Sequence, residues 1–121
     1  TAKPKQDLYI RLLMPTGAGR GTTFVLDNHA WQRDPYICEG AKDNLAGRCA
    51  TTEAAAPTRI GDNPIGFVIG HQESVTPSAH FDIVPLHGAG GINGITGDHL
   101  FSDQGSFGPT SGLWGILRVA E

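Results

Sequence analysis

The sequence predicts an all-β fold, a sandwich of two packed sheets, and three observations predict it. Glycine supplies 17 of 121 residues, about twice ordinary usage. Charged residues make up 17% of the chain, below the usual ~25%. The apolar residues fall in short runs, several alternating with a period of two, each stopped by Gly or Pro. No stretch sustains a helical period. Many short strands joined by tight turns bury their apolar faces by packing sheet on sheet. The chain reads as one domain, residues 1–121. A domain of this size buries roughly 65% of the surface its unfolded chain exposes, enough for a core without a metal to hold it together.

Residues 7–14 form the first predicted strand, stopped by Pro15-Thr16-Gly17-Ala18-Gly19. Residues 22–28 form the second, with Phe24 and Leu26 on one face and Thr23 and Val25 on the other. Asp34-Pro35 starts a turn. Residues 37–63 read mostly as loop, relieved by a single helical turn over 51–56 that ends before Pro57. A connection this long without structure is uncommon. Cys38 and Cys49 both lie in it. They either close a small ring, worth about 3 kcal/mol by chain entropy, or stand as two free thiols. The ring is the expectation, and it implies an oxidising compartment, periplasmic or secreted. No His or Cys lies at short ligand spacing from either, which disfavours a metal pair.

Residues 65–69 are a short apolar strand, Thr76-Pro77-Ser78-Ala79 a turn, and residues 80–84 an alternating strand that Pro85 ends or places at an edge. Residues 87–96 are Gly-rich. Gly88-Ala89-Gly90-Gly91 carries no Lys and precedes no helix, so a flexible connection is expected rather than a phosphate loop. The last quarter, from Gly97 to Val119, reads as strand, loop, strand. Residues 104–112 hold four polar residues, three Gly and one Pro, which rules out regular structure there.

The composition also excludes functions. Net charge is −3, pI is near 5.9 and no Lys/Arg run occurs, so neither nucleic acid nor an anionic membrane is an expected partner. No apolar run approaches the ~20 residues that span a bilayer. Thr1-Ala2-Lys3 is no signal peptide and the first residue is not Met, so a processed or internal start is expected. No Ser-His-Asp ordering or Gly-X-Ser-X-Gly elbow suggests hydrolysis.

Three segments, in order, carry a family resemblance: residues 23–32 (Thr23 to Gln32), residues 73–84 (Glu73 to Val84) and the terminal hairpin. Together they cover about two thirds of the chain, and the layout resembles the C-terminal cupredoxin domain of bacterial multicopper oxidases. The resemblance implies a cupredoxin-like Greek-key β-sandwich. In that family the first segment carries a Leu-His-Gly-His-like run. The hairpin carries a His-Cys-His run, and an axial Met often follows its closing Gly. Here the matching positions read Asp27-Asn28-His29, Ser102-Asp103-Gln104 and Leu113. A blue-copper centre needs two imidazoles and a thiolate, whose soft sulfur selects the metal. The resemblance therefore implies degenerate copper positions at Asp27, Ser102, Asp103, Gln104 and Leu113, no catalytic residue, and no cofactor held by this chain. His29 is the one remaining metal-ligand candidate.

The function so implied is a non-catalytic domain, a structural or interaction subunit or fragment of an extracytoplasmic multicopper-oxidase-type assembly. Its partners would be other chains or domains of that assembly, or further copies of itself as a homo-oligomer. The alternative is part of a working oxidase that oxidises a metal ion or a phenol with dioxygen. Copper would then be held mainly by other domains or chains, with His29 at a seam. The count of ligands at the motif positions favours the first.

Other side chains have smaller expected roles. His29 is otherwise a hydrogen-bonded rim histidine, His80 points to solvent or away from Phe81, and His99 packs. His71 and His87 have no partner suggested by spacing, though a site drawing scattered histidines together across the fold is the further alternative. Asp98 is expected to cap the turn into the hairpin. An inward Asp103 needs a cation, with Arg33 or Arg118 as candidates. Trp31, Tyr36 and Trp114 are candidate interface anchors, with a core position as the alternative for both tryptophans and the expected one for Trp114, which stands inside an apolar run.

Overall fold

Ten short strands and one 3₁₀ turn make up the described part of the chain, residues 1–14, 21–33, 36–37, 59–60, 67–104 and 113–121 of a computed structural model. The strands are β1 (Ile10–Leu13), β2 (Thr22–Leu26), β3 (Trp31–Gln32), β4 (Tyr36–Ile37), β5 (Arg59–Ile60), β6 (Val68–Ile69), β7 (His71–Val75), β8 (His80–Ile83), β9 (Gly97–Asp103) and β10 (Trp114–Val119). The fold is all-β and every strand pairing is antiparallel. The largest sheet has four strands in the order β10-β9-β2-β7, and the pairs β1-β8, β3-β6 and β4-β5 form two-stranded ladders. Among the described residues no helix is long and apolar enough to cross a membrane. Cys38 and Cys49, Asp34-Pro35, the 51–56 turn, and most of the predicted loop over 37–63 lie outside the described residues.

β2 takes the faces its alternation dictates. Phe24 and Leu26 are buried while Thr23 and Val25 are only partly so. Phe24, Leu26, Leu12, Trp31, Val75 and Ile83 form the main core, and Phe101 and Leu117 pack against it. Trp31 is fully buried, so it anchors the interior and not an interface. Trp114, expected in the core, is instead 56% exposed, because its strand lies at the edge of the sheet and its side chain is on the outer face.

The segment 73–84, which resembles a single strand before the copper loop, is divided between two sheets. β7 joins the large sheet and β8 pairs with β1. The corner is the predicted turn: Pro77 is its second residue, Ser78 its third with φ 70°, and Ala79 N donates to Thr76 O at 2.8 Å. Proline second and a left-handed residue third is the type II pattern.

The Gly-rich loop is not the flexible connection its composition predicts. Gly88, Ala89, Gly90 and Gly91 are all buried, and Gly91–Asn93 forms the 3₁₀ turn. The N-terminal segment holds the loop in place. Lys5 N donates to Ala89 O and Ala89 N to Gln6 O, both at 2.8 Å, while Lys5 Nζ reaches Gly91 O at 3.1 Å. Gly88 has φ +69°, and a Cβ there would lie 2.5 and 2.6 Å from the carbonyl oxygens of Gln6 and Lys5. Only glycine allows that approach. Ala2 then bridges to Val119 in parallel, so the start of the chain also runs beside the end of β10.

A second glycine is fixed by packing. Gly115 faces Phe101 across the β9-β10 ladder, and a Cβ at Gly115 would overlap the Phe101 ring. Gly115→Ala is expected to destabilise the fold by about 1–3 kcal/mol through displacement of that ring from its contact with Phe24. Urea unfolding measures this, and a midpoint equal to wild type would contradict it.

Candidate metal centre and the buried histidine pair

The positions that the resemblance matches to copper ligands fall into two groups toward opposite ends of β9. Asp103 pairs with Phe24 across the β2-β9 ladder, and Ser102 with Val25. His29 lies past the other end of β2, where its ring meets His99 edge to face with centroids 5.0 Å apart. His99 and Asp103 are four residues apart on one strand, about 13 Å. His29 and Asp103 therefore serve separate environments.

At the Asp103 end the donors are a hydroxyl, a carboxylate and an amide. Ser102 is buried and its Oγ accepts from Gln104 Nε2 at 3.3 Å. Gln104 N donates to Thr23 O at 2.6 Å, and Leu113 O accepts from Asp103 N at 3.1 Å. Asp103 is only 7% exposed; its Oδ2 accepts from Thr22 Oγ1 at 3.2 Å and its buried Oδ1 has no partner among the described residues. Neither expected arginine reaches it. Arg33 Nη2 pairs with Glu73 Oε1 at 3.2 Å, and Arg118 grips Asp98 with two bonds of 2.6 and 2.7 Å. The alternation of the strands explains the second case. Asp98 and Arg118 are cross-strand neighbours on the outer face, whereas Asp103 shares the inner face with Phe24. Asp98 is thus an ion-pair partner and not a turn cap; Arg118 holds its carboxyl below the ordinary carboxylate range. This donor set contains neither thiolate nor imidazole, and it does not fit a blue-copper centre.

At the other end a turn positions His29. His29 N donates to Leu26 O at 3.3 Å, and Asn28 takes φ 63°, a conformation asparagine tolerates well. Asn28 Nδ2 donates to Gly90 O at 3.2 Å, tying the turn to the glycine loop. The His29 ring is buried and engaged at both nitrogens: Nδ1 lies 2.7 Å from Asp27 O, and Gly90 N donates to Nε2 at 3.0 Å. A carbonyl only accepts and an amide N–H only donates, so Nδ1 carries the proton and the Nε2 lone pair is consumed. Burial pushes the His29 pKa below its ordinary value; the Asp27 carbonyl opposes this in part and the nearby His99 adds to it. His99 Nε2 lies 3.0 Å from Ile95 O, and donates to it.

Spacing in the sequence suggests neither the Gly90 contact nor the pairing with His99, because both depend on how the loop folds back. Gln72 likewise gave no signal, yet it is buried and its Oε1 accepts from Trp31 Nε1 at 3.4 Å. Among the described residues no group of three or more His, Cys, Asp or Glu is placed to hold a metal ion.

Fold and site together define an all-β chain of antiparallel sheets with a buried histidine pair at one end of its main sheet. No protein-family model matches this chain, and no curated protein matches it either.

Proposed function

We propose that this chain is a cupredoxin-like domain without copper ligands of its own, acting as a structural or interaction subunit of an extracytoplasmic multicopper-oxidase-type assembly. The observation that carries the reading is the state of His29. The single imidazole left at the ligand positions spends both nitrogens on backbone groups of Asp27 and Gly90. The hydroxyl, carboxylate and amide at Ser102, Asp103 and Gln104 support it further, since none supplies the soft sulfur that a blue site requires. The all-β antiparallel architecture is compatible with the Greek-key sandwich that the resemblance implies. Such a domain works through its surface, on other chains of the assembly or on its own copies.

Copper loading tests the reading. The chain is incubated with excess Cu(II), desalted, and its copper counted by plasma mass spectrometry alongside a visible spectrum. The expected result is far less than one copper per chain and no thiolate-to-copper charge-transfer band. One tightly held copper per chain, or an intense blue band, would overturn the proposal.

A further inference from the structure

β10 is an outer strand of the four-stranded sheet, and among the described residues only Ala2 pairs along its far side. In an antiparallel strand alternate residues direct both backbone groups to the same side. Leu113 O accepts from Asp103 N, so Leu113, Gly115 and Leu117 face β9, while Trp114, Ile116 and Arg118 face away. Ala2 covers the end of that outer side, with Ala2 N donating to Arg118 O at 2.8 Å and Ala120 N to Ala2 O at 3.0 Å. The outward groups of Trp114 and Ile116 are met by no backbone group among the described residues.

Natural sheet edges are guarded by Lys, Pro, bulges or a covering segment. Among the described residues no such guard stands on this edge from Trp114 to Leu117. Its outward side chains are Trp114 and Ile116, 56% and 51% exposed, beside Leu100 of β9 at 41%. An apolar cleft of about 430 Å³ adjoins it, between Leu12 and Leu13 of β1 and Ile116 and Leu117 of β10, with Phe24 and Phe101 in its floor.

We propose that this edge is the interface between two copies of the chain, paired antiparallel about a twofold axis through Gly115. The strand is its own complement in that register. Trp114 of each copy stands opposite Ile116 of the other, and each such pair exchanges two N–H···O=C bonds. On the outer face the same pairing sets an aromatic ring against a β-branched side chain, a favourable cross-strand contact. Gly115 meets Gly115 at the axis, where the strands approach most closely and no side chain intervenes. Leu113 and Leu117, inward-facing and next to the edge, come to the mouth of the second copy's cleft. The interface is isologous and closes at two copies. A small apolar ligand would fill the cleft but leave the outward N–H and C=O groups of Trp114 and Ile116 unmet, which is why a strand fits better.

The inference rests on the reading of the domain as one that acts through its surface, yet the two fail separately. Copper uptake leaves the oligomeric state untouched, and a monomer leaves the copper count untouched. Sedimentation velocity on the full chain over about a hundredfold concentration range should show the mass rising from one chain toward two, as mass action requires. Two variants address the edge. Ile116→Pro deletes an N–H that the β9 ladder does not use, and Trp114→Lys installs a guarding charge. Each is expected to weaken dimerisation more than about tenfold, with circular dichroism showing a folded chain. If the proline variant fails to fold, the lysine variant decides. A monomer at every concentration overturns the proposal, as does a dimer that a folded Trp114→Lys chain retains. A monomer whose cleft binds an apolar fluorescent dye, displaced by a fatty acid, overturns it in favour of a small ligand.

Discussion

Replacing Trp31 with alanine is expected to remove about 3–5 kcal/mol of stability, a large share of the 5–15 kcal/mol typical of a domain. Trp31 is the largest fully buried side chain. Its ring packs against Phe24 with centroids 6.2 Å apart, its strand pairs with Ile69 in β6, and its backbone bridges Pro85. Truncation would therefore loosen the β3-β6 ladder from the main sheet and leave Gln72 Oε1 without its indole donor. Trp31→Phe keeps much of the volume and loses that donor, so its cost should be nearer 1–3 kcal/mol. Urea denaturation of both variants checks the ranking. An alanine variant within about 1 kcal/mol of wild type would show that the indole is not the interior anchor.

The second large effect belongs to His29. His29→Ala leaves the buried Gly90 N–H without its acceptor and removes a part-buried bond to the carbonyl of exposed Asp27. The one buried group left stranded, the Gly90 N–H, sets an expected loss of about 1–3 kcal/mol. The same residue sets a pH dependence. Burial holds the folded pKa below its ordinary value, so in the window beneath ~6.5 the unfolded chain binds more protons than the folded one. Stability from this group is thus complete above the unfolded pKa and falls as pH drops toward the folded one. Protonation forces Nε2 to give up the Gly90 N–H, and brings a charge beside His99. Denaturation midpoints across that window should decline with acid in wild type and much less in His29→Ala. Parallel slopes would assign the acid sensitivity to another group.

Local alternation carries the readable part of the fold. The inner and outer faces of β2, the Thr76–Ala79 corner and the two strands of the last hairpin follow from period-two patterning and turn chemistry acting over a few residues. The strand ends are less visible, since only Ile10–Leu13 of the predicted residues 7–14 pairs with another strand. What was hidden depends on distant parts of the chain. Gly88 to Gly91 look like a flexible connection by composition, but Lys5, Gln6, Asn28 and His29 supply partners that bury and order them. Asp103 looks like half of an ion pair, yet both candidate arginines are taken by nearer carboxylates. Burial of Trp31 and exposure of Trp114 were equally obscure, because each stands in an apolar setting and only sheet order decides which strand is outermost. The candidate site was legible as a set of missing ligand types. The hydrogen bonds of the His29 ring were not, because they are made to backbone groups, which leave no trace in residue identity.

The contrasting fates of the two tryptophans give the molecule a pair of built-in optical reporters. Indole emission shifts to the blue in a dry setting and to the red in water, so light from Trp31 tracks melting of the interior while light from Trp114 tracks what happens at the rim. A soluble quencher should silence the second long before the first. Unfolding, and the self-association proposed for the β10 edge, can thus be followed in one cuvette without a label.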